Sequence, residues 1–116
     1  MKLNVKITIS KDSPTPFMGP GPAQLLEKIR EYHSINLAAG SMNLSYAKAL
    51  KILNRLEKSL GNPLLIRTRG GNDRGGTKVT PYGEKYLENF QKLQKKIETS
   101  AQKEFDIFQR RLQKGK

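Results

Sequence analysis

Leu3, Val5, Ile7 and Ile9 alternate with Lys2, Asn4, Lys6 and Thr8, the period of two that a strand with one buried face requires. The next stretch, KDSPTPFMGPGP, holds four prolines and two glycines and reads as turns, with Phe17 and Met18 placed to form a short return strand against the first. From Pro22, a residue suited to a first helical turn, Leu25, Leu26 and Ile29 fall at helical spacing with Glu27, Lys28, Arg30 and Glu31 opposite. That helix ends near Tyr32–His33. Ser34 suits the N-cap of a second helix, INLAAGSM, in which Ala38 and Ala39 are small enough for another helix to cross closely. Asn43 sits where the chain must turn and tolerates the left-handed conformation. Ser45 then caps a third helix from Tyr46 to about Leu60, with Gly61 as its stop. Leu50, Leu53, Leu56 and Leu60, widened by Ala49 and Ile52, form its core stripe. Ser45, Lys48, Lys51 and Arg55 share the other face.

Pro63 breaks this helix, Leu64–Arg69 reads as a strand, and TKVT as a short strand back. Leu65–Thr80 is therefore a predicted hairpin whose tip, GGNDRGG, is rich in glycine. Thr80 caps a last helix starting at Pro81. In it Tyr86, Phe90, Leu93, Ile97, Ala101, Phe105, Phe108 and Leu112 recur at steps of 4, 3, 4, 4, 4, 3 and 4. One small domain cannot cover so long a stripe at about 1.5 Å per residue. A second copy is the simplest cover, with Phe90, Leu93, Ile97, Phe105, Phe108 and Leu112 as the dimerisation seam. The fold class expected is mainly α with a small β component: a winged helix-turn-helix over residues 1–80, with an N-terminal strand or hairpin, followed by a long dimerisation helix over 81–116.

Charge sharpens this picture. The 116 residues carry 22 Lys and Arg against 10 Asp and Glu, a net +12. Residues 45–80 hold eight of the cations against Glu57 and Asp73, so the middle of the chain is the electrostatic focus, and a folded basic patch attracts polyanions. There is no cysteine and one histidine, His33; thiol chemistry and a thiolate or histidine metal site are excluded, and no cofactor is expected. The lack of cysteine suits a reducing cytoplasm. No apolar run approaches the roughly 18 residues of a membrane helix. Ser34, Ser41 and Ser45 lie near His33 but are explained as caps or helix surface, and no paired carboxylates appear, so no enzyme is expected. The tip loop lacks the spacing and lysine of a nucleotide phosphate loop.

Two helices meeting at a sharp turn present the second outward, and an α-helix fits the major groove of B-DNA. Ser45 and Tyr46 would lie at its N-terminal end, which favours phosphate, with Lys48, Lys51 and Arg55 pointing into or along the groove. The hairpin would form a wing, its Arg67, Arg69, Arg74 and Lys78 reaching phosphates or the minor groove, Arg74 from the tip. Double-stranded DNA is the expected partner, bound by a sequence-specific homodimeric regulator; an architectural DNA-binding protein of low sequence preference is the alternative.

GPGPAQLLEKI, SINLAAGSMNLSYAKA and GNPLLIRTRGGNDRGGTKVTPYG together resemble the N-terminal winged-helix domain of the ModE-type, molybdate-responsive transcription regulators. LGNPLLIRT…VTPYG also resembles the related DNA-binding domain of LysR-type regulators. The likeness spans roughly residues 3–97, and its most specific part is the glycine-rich wing followed by VTPYG. His33 stands where that pattern usually has a glycine before SI, Asn43 replaces another turn glycine, Leu50 replaces a large aromatic, and Ala47 sits where a basic residue is frequent. The resemblance implies DNA binding and a dimer built partly from the helix after the wing. ModE-type regulators bind molybdate in separate C-terminal domains; this chain ends at Lys116, straight after the helix, so neither a ligand-sensing domain nor molybdate binding is expected in it.

Overall fold

The computed structural model describes residues 1–68 and 76–115. Its elements run α1 (Pro20–Tyr32), α2 (Ile35–Ser41), α3 (Tyr46–Leu60), β1 (Leu65–Arg67), β2 (Thr77–Val79) and α4 (Pro81–Lys114). β1 and β2 form one antiparallel pair in the register Leu65↔Val79, Ile66↔Lys78 and Arg67↔Thr77. A mostly helical chain with one small ribbon is the winged helix-turn-helix arrangement expected from the pattern.

The core lies where the first three helices meet the root of the ribbon and the start of α4. Leu25, Leu26 and Ile29 of α1, Ile35 and Ala38 of α2, Ala49, Leu53 and Leu56 of α3, Leu64, and Leu87 of α4 are fully buried. Ala38 and Ala39 present almost no side-chain bulk, and α2 packs directly on both α1 and α3. Leu50, Ile52 and Leu60 are half-buried flanks of the α3 stripe.

The turns follow local chemistry. His33 ends α1 with φ 55°, in the left-handed region, and its N–H donates to the Ile29 carbonyl at 2.7 Å. Ser34 Oγ accepts from Leu37 N–H at 3.0 Å, capping α2. Asn43 turns the chain between α2 and α3 with φ 58°, and Ser45 Oγ accepts from Lys48 N–H at 3.1 Å. Among the described residues, the two non-glycine positions at positive φ thus flank α2, His33 before it and Asn43 after it.

Two expectations need correction at the N-terminus. Residues 3–8 are not a strand; the alternation yields only a single bridge, Ile9↔Met18. The return segment is too short to pair further, because Pro16 lacks an N–H for a ladder and α1 already begins at Pro20. The helix starts two residues before Pro22, since a first-turn proline loses no hydrogen bond. The strands are also shorter than predicted. Leu64 and Leu65 donate their backbone N–H groups to Glu57 Oε2 at 2.7 and 3.3 Å, so Leu64 stays outside the ladder and Leu65 enters it with its N–H on that carboxylate rather than on β2.

α4 begins with a tight junction. Thr80 Oγ1 donates to Pro63 O at 2.9 Å and accepts from Gly83 N–H at 3.0 Å, while Pro81 occupies the first turn. A Cβ at Gly83 would lie 2.7 Å from the Leu64 carbonyl oxygen and 2.7 Å from Val79 Cγ1. The VTPYG run thus brings a helix against the ribbon root at a distance only glycine permits. The 34 residues of α4 span about 51 Å at 1.5 Å each, which makes the molecule 65 Å long against 29 and 24 Å in its other dimensions. Phe90, expected on the dimer seam, is only 3% exposed and belongs to the chain's own core beside Leu87. The helix is still passing over α1 at this point, where Gln91 Nε2 donates to Glu27 Oε1.

Candidate nucleic-acid interface

α3 turns its core stripe inward and leaves Ser45, Lys48, Lys51, Arg55 and Lys58 exposed. Steps of three and four residues keep the four cations within about one quadrant of the helix. Tyr46 departs from the expectation: its ring is half-buried and packs against the core, because position 46 lies on the edge of the apolar stripe. Ser45 is occupied as the cap, its hydroxyl oxygen facing the free N–H groups of the first turn.

What sets this face apart is the row of cations on one side of α3, and none of them is ion-paired among the described residues. The ion pairs among the described residues are Lys28–Glu31, Arg30–Glu84 and Lys92–Glu88. None involves Lys48, Lys51, Arg55 or Lys58, nor Arg67 or Lys78 on the ribbon. Glu57, the one carboxylate of α3, points away from the basic face and is engaged by the Leu64 and Leu65 N–H groups. Among the described residues the exposed cations therefore add their fields with no ion-pair partner.

The ribbon contributes Arg67 and Lys78, both exposed, on opposite faces. Side chains of paired residues share a face and alternate along a strand. Leu65↔Val79 and Arg67↔Thr77 thus share the face carrying buried Thr77, whereas Ile66↔Lys78 occupy the outer one, where Ile66 is 52% exposed. Arg69 and Arg74 lie outside the described residues. The ribbon is fixed to the helical body by Thr77 N–H, which donates to His33 O at 2.8 Å, and by the Glu57 contacts.

Sequence reasoning missed two members of this neighbourhood. Lys11 Nζ donates to the Ser59 carbonyl at 3.2 Å, across 48 positions of chain, which places the proline-rich N-terminal loop against the end of α3. Lys58 continues the basic face past Arg55, visible in the spacing had the stripe been followed one step further. Nothing local to Lys11 marks it; only the fold brings it to α3.

Residues 23–84 match the family described as bacterial regulatory helix-turn-helix protein, lysR family. The chain belongs to that family. Over this stretch it is a DNA-binding domain of the LysR/ModE regulator type. Among curated relatives, Transcriptional regulator ModE of Haemophilus influenzae is 37% identical over 79 residues, 68% of this chain and 31% of that protein. Molybdenum transport protein ModE of Azotobacter vinelandii is 35% identical over 71 residues, 61% of this chain and 26% of that protein. The chain thus spans about a third or less of the length of these relatives. Among solved structures, that of the CbnR DBD–DNA complex superposes with a TM-score of 0.57 at 20% identity, over 77% of this LysR-family chain and 93% of that one. The likeness shows the fold, a winged helix-turn-helix. The Lys11 loop precedes the matched stretch, so the family likeness assigns it nothing. Among the described residues no helix is long and apolar enough to cross a membrane.

Proposed function

We propose that this chain binds double-stranded DNA as a homodimer and regulates transcription, reading sequence with α3 and gripping the backbone with the ribbon. The observation that carries this reading is the row Lys48, Lys51 and Arg55: exposed on one face of the helix that follows the sharp turn, without an ion-pair partner among the described residues. Lysine and arginine at such positions contact guanine edges or phosphates. Arg67, Arg69, Arg74 and Lys78 supply backbone contacts in the same reading. The curated relatives named as ModE regulators support it, as does the likeness to a domain solved with DNA.

Self-association uses the distal half of α4. Leu93, Ile97, Phe108 and Leu112 are 43, 38, 54 and 55% exposed, and Phe105 stacks on Phe108 with ring centroids 6.2 Å apart. Two copies joined there carry two α3 helices to successive major grooves, about 34 Å apart, so the bound site is roughly palindromic. Residues 1–116 act on DNA and on each other, with no catalytic role and no part given to molybdate.

Selection of bound fragments from random duplex DNA tests this directly. Recovery of an inverted-repeat motif is the expected result; recovery of unbiased sequence at full affinity would assign the chain to architectural binding instead. If six to ten phosphates are met, affinity falls roughly 10³–10⁵-fold between 50 and 200 mM salt, and a flat salt response rejects the DNA reading altogether.

A further inference from the structure

We infer that the N-terminal loop from Ser10 to Phe17 is a second backbone-gripping element, which takes a phosphate strand of the duplex alongside α3. The inference rests on the DNA reading above and adds to it a contact surface that the helix-turn-helix motif itself does not contain.

An open groove of about 790 Å³ runs between this loop and the distal part of α3. Lys11, Ser13 and Thr15 line one wall and Lys51, Arg55 and Lys58 the other. Four cations thus face one space against a single lining carboxylate, Asp12, and none of the four is ion-paired among the described residues. Two of them, Lys51 and Arg55, are the α3 residues that face the duplex in the reading above. A groove that shares those side chains is continuous with the DNA surface, so a strand passing over α3 runs into it.

The loop is held in place rather than trailing. Its base is closed by Ile9 N–H donating to Met18 O and Phe17 N–H donating to Ile9 O, each at 2.9 Å. Ser10 Oγ donates to Pro14 O at 3.4 Å, and Thr15 N–H donates to Ser13 Oγ at 3.2 Å. Pro14 and Pro16 restrict the backbone further. Lys11 is anchored by its bond to Ser59 O, at the C-terminal end of α3 where a cation is favoured. One of its three N–H donors is used there, which leaves two for an acceptor in the groove. Ser13 accepts through its oxygen, so its hydroxyl hydrogen is available to donate. Ammonium and hydroxyl groups fixed before binding are what a phosphate-contacting surface needs, since little freedom remains to be lost.

The test compares wild type, Lys11→Ala, Lys11→Arg, Thr15→Glu and Lys48→Ala for binding to a fluorescein-labelled 30-base-pair duplex between 50 and 200 mM NaCl, with Tm recorded for each. Lys11→Ala should weaken all duplex sequences alike and lower the slope of log K against log salt by about 0.9 per protomer, one phosphate contact each. Lys11→Arg should restore both, and Thr15→Glu, which leaves the Lys11 anchor intact and adds a negative charge to the groove, should weaken binding further. A purely structural role for Lys11 moves Tm and leaves the slope unchanged. If Lys48→Ala is impaired while Lys11→Ala and Thr15→Glu keep the wild-type affinity and slope, the loop takes no part in DNA contact and this inference falls, with the DNA reading intact. Failure of the wild type itself to bind the duplex overturns both.

Discussion

Glu57 accepts the backbone N–H of Leu64 on its Oε2 at 2.7 Å and that of Leu65 on the same oxygen at 3.3 Å. The only carboxylate on α3 is thereby spent on holding the ribbon root, so it neither neutralises the basic face nor leaves two N–H groups orphaned at the bend after Pro63. Replacing it by alanine leaves two largely buried donors without an acceptor, at a cost of about 1–3 kcal/mol. Glu57→Gln, which keeps an acceptor oxygen, should lose less. Chemical denaturation of the three proteins measures the difference.

Gly83→Ala should destabilise the chain although alanine normally favours helices. The added methyl would meet the Leu64 carbonyl and Val79 at 2.7 Å, and overpacking of this kind costs about 1–3 kcal/mol. The loss should be absent for Gly40→Ala in α2, where a Cβ meets nothing within 4 Å. A pair of thermal melts checks both.

The Tyr86 hydroxyl is buried without a hydrogen-bond partner among the described residues, and burial, with Tyr82 beside it, pushes its pKa up from 10.0 to about 12. A raised pKa means that the folded state holds its proton where the unfolded state has lost it. Stability is therefore unaffected below pH 10 and falls between about pH 10 and 12. Tyr86→Phe should keep or raise Tm at pH 7, since no hydrogen bond is lost, and should reduce the alkaline loss in a melt series from pH 9 to 12.

Phe108→Glu and Ile97→Glu should yield folded monomers. Both side chains face outward on α4, so the substitutions cost little within one chain, while a charge in an apolar seam opposes pairing. Sedimentation should show the change of mass and circular dichroism an unchanged helical core. Affinity for a palindromic site should drop far more than affinity for one half of it.

Lys51→Ala and Arg55→Ala should narrow the gap between preferred and random duplexes, by about 1–3 kcal/mol for a side chain that reads a base edge. Arg67→Ala and Lys78→Ala should weaken all duplexes more evenly. Competition binding with the selected motif and a scrambled duplex separates the two classes.

The helices were legible because their signals are local. Ser34, Ser45 and Thr80 cap where the pattern placed caps, Gly61 stops α3 in the left-handed conformation, and His33 and Asn43 take the positive φ that their positions demanded. The basic face of α3 was legible for the same reason, being a matter of spacing within one helix. What escaped depends on who packs against whom. The alternation at residues 3–9 is real, but no partner strand lies beside it, so it is not a strand. Phe90 carries the same periodicity as Leu93 yet faces the chain's own core, because α1 still lies beneath it. Tyr46 borders the apolar stripe, and only the packed structure assigns its ring inward. Lys11 reaches Ser59 through the fold alone.

α4 is clamped to the ribbon at one end by Thr80 and Gly83 and runs 34 residues without a proline or glycine after its first turn. Such an element behaves as a rigid beam, and in the proposed dimer two such beams crossing at the aromatic end would work like callipers. Moving the crossing point by one helical turn displaces it about 5.4 Å and resets the span between the two jaws. The half-site spacing tolerated by the proposed dimer would then be decided by side chains far from any base pair.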